Sequence, residues 1–486
     1  MEDRRSLTRR DFLRLSAAAA TGAIVAACAP AAPQVVEVER EVPVERVVVE
    51  TVEVEKEVVV EKEVPAKPVV KVEIEWWHGW GGMTGVNAMQ AVADAFNVES
   101  ETIYVHRLQV SDVSDKYMTA IAGGAPPDVE IGNLSYASFW AREVVMVLDD
   151  WVNASKVIDV EDTLPQAVEG GVWKGKTYGW PTIESSIRFA LSYNEDLVKD
   201  AGLDPENPPL TWDEAFEWHE KINKFDAAGN LEILGFDPMD AMGGSGPGPP
   251  DPFFWAPDYG LTWWDKEKMV FHFDDDRFVD ALTTINRFYE SVGVEKIAGY
   301  RSSYGTWTQS PTASFPAGVM AMIVNGPWQP GELFHAAPDK HFRYTWPPMP
   351  AERKGIKFQA TGGHYGSIPN GAPNPEAAFE FIEFTTTDKA ADIVFAQTGW
   401  LCPRLSWNKR LDVGRYEGLD FYINSIEGAD EMWPSAGCPI SGFVGDHWWD
   451  TVDAVNYGDK TPEQAAKDLQ ELCTDELRRS FPELAG

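Results

Sequence analysis

Between residues 71 and 131 the apolar pattern changes period four times, and that order restricts the fold more than any bulk property. Residues 71–75 (KVEIE) alternate apolar and charged side chains, as a half-buried strand does. Residues 87–97 place Met89, Val92, Ala93 and Phe96 on one helical face. Residues 102–108 alternate again, 115–122 read as a helix stopped by Gly123-Gly124, and 129–131 form an apolar strand after Pro126-Pro127-Asp128. Strand, helix, strand, helix, strand predicts a wound α/β lobe. Ligands of such sheets sit at the carboxyl ends of the strands, which here are the 76–82 segment (WWHGWGG) and residues 132–136.

The remainder is richer in helix. Thr211 with Glu214 three residues on forms a capping box opening a helix to about residue 224. Residues 276–292 and 374–387 read as two more helices, the latter with Ala378, Phe381, Ile382 and Phe384 as its apolar face. A Gly/Pro-rich loop, 243–252, feeds Phe253-Phe254-Trp255. Setting aside the leading 70 of 486 residues leaves enough chain for two domains or lobes.

Those leading residues read differently. Residues 8–14 (TRRDFLR), with Arg9, Arg10 and the apolar pair Phe12-Leu13, resemble a twin-arginine export signal. Val25-Ala26-Ala27-Cys28 resembles a lipoprotein cleavage box, in which Cys28 is lipidated and becomes the new N-terminus. The apolar run 16–27 is short of the roughly 20 residues that span a bilayer, which favours a lipid anchor over a transmembrane one. Residues 36–48 and 52–64 then repeat a Val/Glu alternation punctuated by Pro43, Pro65 and Pro68. The 29–70 segment is read as an extended, charged linker, with a self-paired stalk as the alternative. These features predict a folded body held by lipid at the extracytoplasmic face of the cell membrane.

A net charge of −36 leaves no surface for phosphate backbones and excludes nucleic acid as a partner. It suits a soluble monomer. The 20 Trp sit largely beside Gly and Pro rather than at helical spacing, which favours flat apolar platforms for a ligand. With Cys28 assigned to lipid, three cysteines remain and one disulfide is open to them. Cys402 and Cys438, both followed by Pro, are the pair that would form it, and the sequence leaves open whether they do. The eight His include no paired metal spacing, and Asp274-Asp275-Asp276 lacks the spaced oxygens of a cation loop, so it is read as a helix cap before Arg277. No metal and no cofactor is expected.

An ordered set of segments runs through the body: IAGGAPPDV at 121–129, GKTYGWP at 175–181, LSYNEDL at 191–197, AGL at 201–203 and TWDE at 211–214. It continues with FPAGVMAM at 315–322, NGPW at 325–328, Gly362-Gly363, PEAAFEFI at 375–382 and TGW at 398–400. Over about residues 71–475 this set resembles the family 1 extracellular solute-binding proteins of ABC transporters, the maltose-binding-like group. The resemblance implies a type II periplasmic-binding-protein-like α/β fold, two lobes joined by hinge segments that close over a ligand. Lobe 1 would take 71–182 and roughly 362–404; lobe 2 would take 183–361 and roughly 405–486. It also implies no chemistry on the ligand, a carbohydrate of oligosaccharide type, which is delivered to the permease subunits.

A sugar presents C–H faces and a rim of hydroxyls, so its site needs aromatic plates edged by polar groups. Trp76, Trp77, His78 and Trp80 follow the first strand, and about two of the four are expected to face the cleft. Asn133, Ser135 and Tyr136 match the family's ligand loop after the third strand. Glu184 and Ser185 follow the Tyr-Gly-Trp-Pro crossover, with Glu184 the expected partner of ligand hydroxyls. Trp328 matches a stacking Trp of the family, and nothing in its local pattern supplies a core partner. Gly362, Gly363, His364 and Tyr365 mark the second crossover, where glycines would admit a ligand close to backbone N–H groups. Trp255, Asp258, Trp307, Trp400 and Arg404 complete the set. Two other readings compete. One is a binder of a non-sugar solute (polyamine, phosphodiester or peptide) on the same fold. The other is an exported glycoside hydrolase, which needs two carboxylates about 5–10 Å apart; no such pair stands out.

Overall fold

A computed structural model describes residues 71–132, 136–184, 186–240, 252–304, 308 and 310–484, without the side chains of 83, 84, 252 and 253. All of these belong to the unit formed by residues 68–486. The export signal, Cys28, the linker, Asn133, Ser135, Ser185, most of the Gly/Pro-rich loop and Trp307 lie outside the described residues.

The first lobe is built on three parallel strands, β1 (Val72–His78), β2 (Ile103–Gln109) and β3 (Val129–Glu130), in the order β2-β1-β3. Helices α1 (Met83–Glu99) and α2 (Val113–Ala122) connect them, as the alternating periods require. β1 runs three residues further than the KVEIE pattern, because Trp76 and His78 continue its buried face. Met89, Val92, Ala93 and Phe96 bury the inner face of α1. Phe96 and Trp76 meet Phe381 edge-on or tilted at 5.1 and 5.0 Å, so the helix Pro375–Thr385 closes this core. Asp128 fixes the junction: its carboxylate accepts from the Glu75 N–H at 2.8 Å and from the Asn374 N–H at 2.8 Å.

The second lobe carries a five-stranded mixed sheet: Phe342–Thr345, Ala190–Asn194, Met320–Asn325, Leu231–Phe236 and Lys224–Phe225, in that order. Helices Trp212–Ile222, Asp276–Val292, Ser441–Asn456 and Pro462–Ser480 bury one aromatic-rich core with it. Thr211 and Glu214 form the capping box, Thr211 accepting from the Glu214 N–H while Glu214 accepts from the Thr211 N–H. Thr211→Ala should therefore cost about 1 kcal/mol, seen as a lower urea midpoint; an unshifted midpoint would mean that packing alone holds this helix. Asp275, not all three aspartates, caps the helix Asp276–Val292.

Between the lobes the chain passes in short antiparallel pairs. Trp180–Pro181 pairs with Tyr365–Gly366, and Ser186–Ile187 with the end of Phe358–Gly362. The strand Glu431–Trp433 lies parallel against Phe358–Gly362 on its other side. The Cys402–Cys438 disulfide that the sequence left open is not formed: Cys402, Cys438 and Cys473 are all free and buried. Cys402 packs in one small core with Trp407 and Leu401, while Cys438 and Cys473 share the second-lobe core. Among the described residues, no helix is long and apolar enough to cross a membrane, and no group of three His, Cys, Asp or Glu is placed to hold a metal ion.

Candidate functional site

Strand alternation sorts the residues that end β1. Trp76 and His78 share the inward face and are fully buried; Trp77 takes the outward face and is half-buried. Trp76 is thus a core residue against Phe381, not a plate for a ligand. His78 is held by Arg107, whose Nη1 lies 2.8 Å from its Nε2. Burial, with Arg107 beside it, pushes the imidazole down to about 3, so it is neutral at any physiological pH. Because guanidinium only donates, Nε2 accepts and Nδ1 keeps the proton. That Nδ1–H is buried and has no hydrogen-bond partner among the described residues.

Trp80 follows past the strand end and lies across Gly132, where a Cβ would come within 2.8 Å of the indole. With φ of +111°, Gly132 is also in a conformation that other residues resist. Trp80 meets the His364 ring edge-on at 4.6 Å and Trp400 at 6.1 Å. His364 comes from the second crossover, and its Nε2 meets the Glu184 carboxylate of the first. Glu184 also accepts from Arg188 at 3.0 Å. Burial alone would raise the Glu184 carboxyl, but Arg188 and His364 hold it below the ordinary range. Glu184 has φ of +57°, a costly left-handed conformation for a residue with a side chain. It is 6% exposed, so it is not a solvated hinge charge.

Arg188 then reaches the third element. Its guanidinium lies 5.5 Å from the centre of the Trp328 ring. It also fills the space above Gly362, where a Cβ would stand 2.6 Å from Nε. The room that Gly362 makes therefore belongs to Arg188 rather than to a ligand. Trp328 caps the helix Gln329–Ala336 and folds back over Gly326. Contrary to the sequence reading it does have partners, Arg188 on its ring and the first-lobe core beside it. One turn on, Glu332 is buried and bonded by the Thr308 hydroxyl; burial pushes its carboxyl up to about 8, with Glu184 adding to the rise.

The result is a continuous cluster from both lobes: His78, Trp80, Glu184, Arg188, Trp328, Glu332, His364 and Trp400. Among the described residues, the indole N–H groups of Trp80, Trp328 and Trp400 are buried without a hydrogen-bond partner. Each such orphan costs about 1–3 kcal/mol.

Other candidates fall outside this cluster. Tyr136 accepts from the Gly132 N–H at 3.1 Å and packs on Trp140 and Tyr365. Tyr365 donates to the Ala167 carbonyl at 2.9 Å within the same aromatic core. Trp255 and Asp258 are fully buried in the second lobe, where Asp258 accepts from the Trp212 indole at 2.6 Å and burial raises its carboxyl well above the usual range. Arg404 bridges Asp162 and Asp388 instead. Gly363 is buried in the second crossover between Gly362 and His364. Sequence reasoning missed Arg188 and Glu332. A lone charge next to the apolar strand 189–193, and a lone Glu after Trp328, were the available signals.

Residues 80–392 match the family described as bacterial extracellular solute-binding protein. Among curated relatives, an sn-glycerol-3-phosphate-binding periplasmic protein of Shigella flexneri is 25% identical over 154 residues, 31% of this chain and 35% of that protein. Its counterpart in Rhizobium meliloti is 27% identical over 177 residues, 32% of this chain and 37% of that protein. The chain thus spans about a third of the length of the curated relatives it matches. Among solved structures, the mannobiose-bound protein CpMnBP1 superposes with a TM-score of 0.73 at 22% identity, covering 83% of this chain and 100% of that one. The maltose/maltodextrin-binding domain of Bdellovibrio bacteriovorus, bound to maltotriose, gives 0.67 at 19% identity, covering 84% and 100%. These likenesses establish the two-lobed solute-binding fold.

Proposed function

We propose that this chain, which belongs to the bacterial extracellular solute-binding protein family, captures a carbohydrate between its lobes and delivers it to the permease subunits of an ABC importer. The observation that carries the reading is the set of buried indole N–H groups on Trp80, Trp328 and Trp400 that have no partner among the described residues, gathered with the Glu184 carboxylate. Flat apolar plates with donors at their edges suit pyranose faces and hydroxyls. The saccharides named for the structural neighbours are consistent with it. The lobe assignment that accompanies it is 71–182 with roughly 362–404, and 183–361 with roughly 405–486.

The curated relatives are named for sn-glycerol 3-phosphate. In this cluster an anion would meet the Glu184 carboxylate, and Arg188 is already paired with it, so a neutral polyhydroxyl ligand fits better. A thermal-shift panel of glucose, maltose, maltotriose, mannose, mannobiose, mannotriose and glycerol 3-phosphate decides between them. A ligand at 100 times its Kd adds about 2.7 kcal/mol to stability, so a saccharide should raise the midpoint by several degrees. A shift with glycerol 3-phosphate alone would overturn the carbohydrate reading.

The leader completes the proposal: a monomer exported by the twin-arginine route through Arg9 and Arg10, and lipid-anchored at Cys28. Cys28→Ser is expected to move the protein from the membrane fraction to the soluble fraction. Retention of that variant on the membrane would remove the lipoprotein assignment.

A further inference from the structure

The inter-lobe cluster holds two carboxyl groups, and its one guanidinium serves the first of them. Glu184 has both oxygens engaged: Arg188 donates to Oε1 at 3.0 Å, and His364 Nε2 meets Oε2. Arg188 is further committed to the Trp328 ring. Glu332, 4% exposed, has the Thr308 hydroxyl on Oε2, and among the described residues no cation forms an ion pair with it. The titratable groups coupled to it add no positive charge. They are Glu184, from the first crossover, and Tyr344, from the strand Phe342–Thr345, whose ring lies 5.9 Å from that of Tyr422.

Backbone from a distant segment closes over the same turn. Gly331, next to Glu332, packs so tightly on the end of the helix Asp388–Thr398 that a Cβ there would stand 2.7 Å from the Gly399 Cα. The charged groups of that helix are engaged elsewhere: Asp388 with Arg404, Asp392 with Arg410 and Lys389 with Glu99. In the lobe assignment proposed above, this helix belongs to the first lobe and Gln329–Ala336 to the second. Closing the lobes therefore takes water away from Glu332, and opening them readmits it. Exclusion of water penalises the charged form, and the neighbouring Glu184 carboxylate adds to the penalty. The closed cluster accordingly carries one negative charge rather than two.

We propose that ligand capture at this cluster is coupled to a proton held by Glu332, so that the closed, loaded form keeps a neutral carboxylic acid and ionisation of that acid favours opening and release. The proposal rests on the carbohydrate reading of the cluster and adds its regulation. When the open form has lost the Glu332 proton, binding takes one proton from solvent onto a Glu332 carboxylate oxygen, and release returns it. The open form, wetted, holds its carboxyl nearer the ordinary 4.5 than the about 8 of the enclosed group. Affinity is then greatest at low pH, where both forms are protonated. It falls as pH rises between the two values and levels off above the higher one.

Calorimetry with maltose, maltotriose, mannobiose and mannotriose, carried from well below that higher value to above it, tests the coupling. The saccharide that binds should lose affinity as pH rises toward about 8, by up to about tenfold per pH unit for one linked proton. Glu332→Gln fixes a neutral side chain and should flatten the profile. Thr308→Val keeps the carboxyl but removes the hydroxyl that favours its ionised form, so the fall should move to higher pH. That variant carries the test if Glu332→Gln does not fold, and an unmoved fall in it would overturn the proposal. A wild-type affinity independent of pH, or a fall that survives Glu332→Gln, would overturn the coupling and leave the carbohydrate reading in place. Failure of all four saccharides to bind at any pH would overturn that reading, and the coupling with it.

Discussion

Glu184→Ala should destabilise the protein by about 3–5 kcal/mol, since it strands Arg188 in a site from which water is excluded. The loss should appear as a lower urea midpoint and as weaker ligand binding. Because the folded Glu184 carboxyl lies below its ordinary value of 4.5, its contribution is fully present above that pH. It is lost as pH falls through the lower, folded value. The wild type should therefore show an acid limb that Glu184→Ala lacks. Arg188→Met in the Glu184→Ala background should recover part of the lost stability, because the second change removes the stranded charge. A single-variant cost under 1 kcal/mol would mean that solvent screens this pair.

Trp328→Ala should weaken the saccharide at least tenfold, a loss of about 1.4 kcal/mol or more. Arg188 lies against the Trp328 ring, so removing it also frees the guanidinium from its cation–π contact. Calorimetry on a variant with a normal melting curve separates the two effects. Unchanged affinity would make Trp328 a support for Arg188, and the stacking role would pass to Trp80 and Trp400.

The first-lobe order of strands and helices was legible because each segment carries a clean period. Met89, Val92 and Phe96 all face the core that the pattern assigns them. The direction of the β1 residues was only half legible. Alternation requires Trp76 and Trp77 to face opposite ways, but two adjacent apolar rings do not say which one is inside. Of the two partners of Glu184, Arg188 lies only four residues on, but His364 is 180 residues away in the chain and beyond local reading. Trp255 and Asp258, named as site candidates, are drawn into the core by the Trp212 indole, another distant partner. The cysteine pairing failed for the same reason, as the shared Cys-Pro context carries no information about which core each thiol joins.

The most direct measurement is a crystal structure of the body, residues 71–486, grown with the saccharide that gives the largest thermal shift. A sugar ring stacked on Trp328 or Trp80, with hydroxyls bonded to Glu184 and to the free indole N–H groups, is the predicted result. A saccharide bound away from Glu184, with those three indoles still unpartnered, would contradict the assignment of the inter-lobe cluster as the binding site.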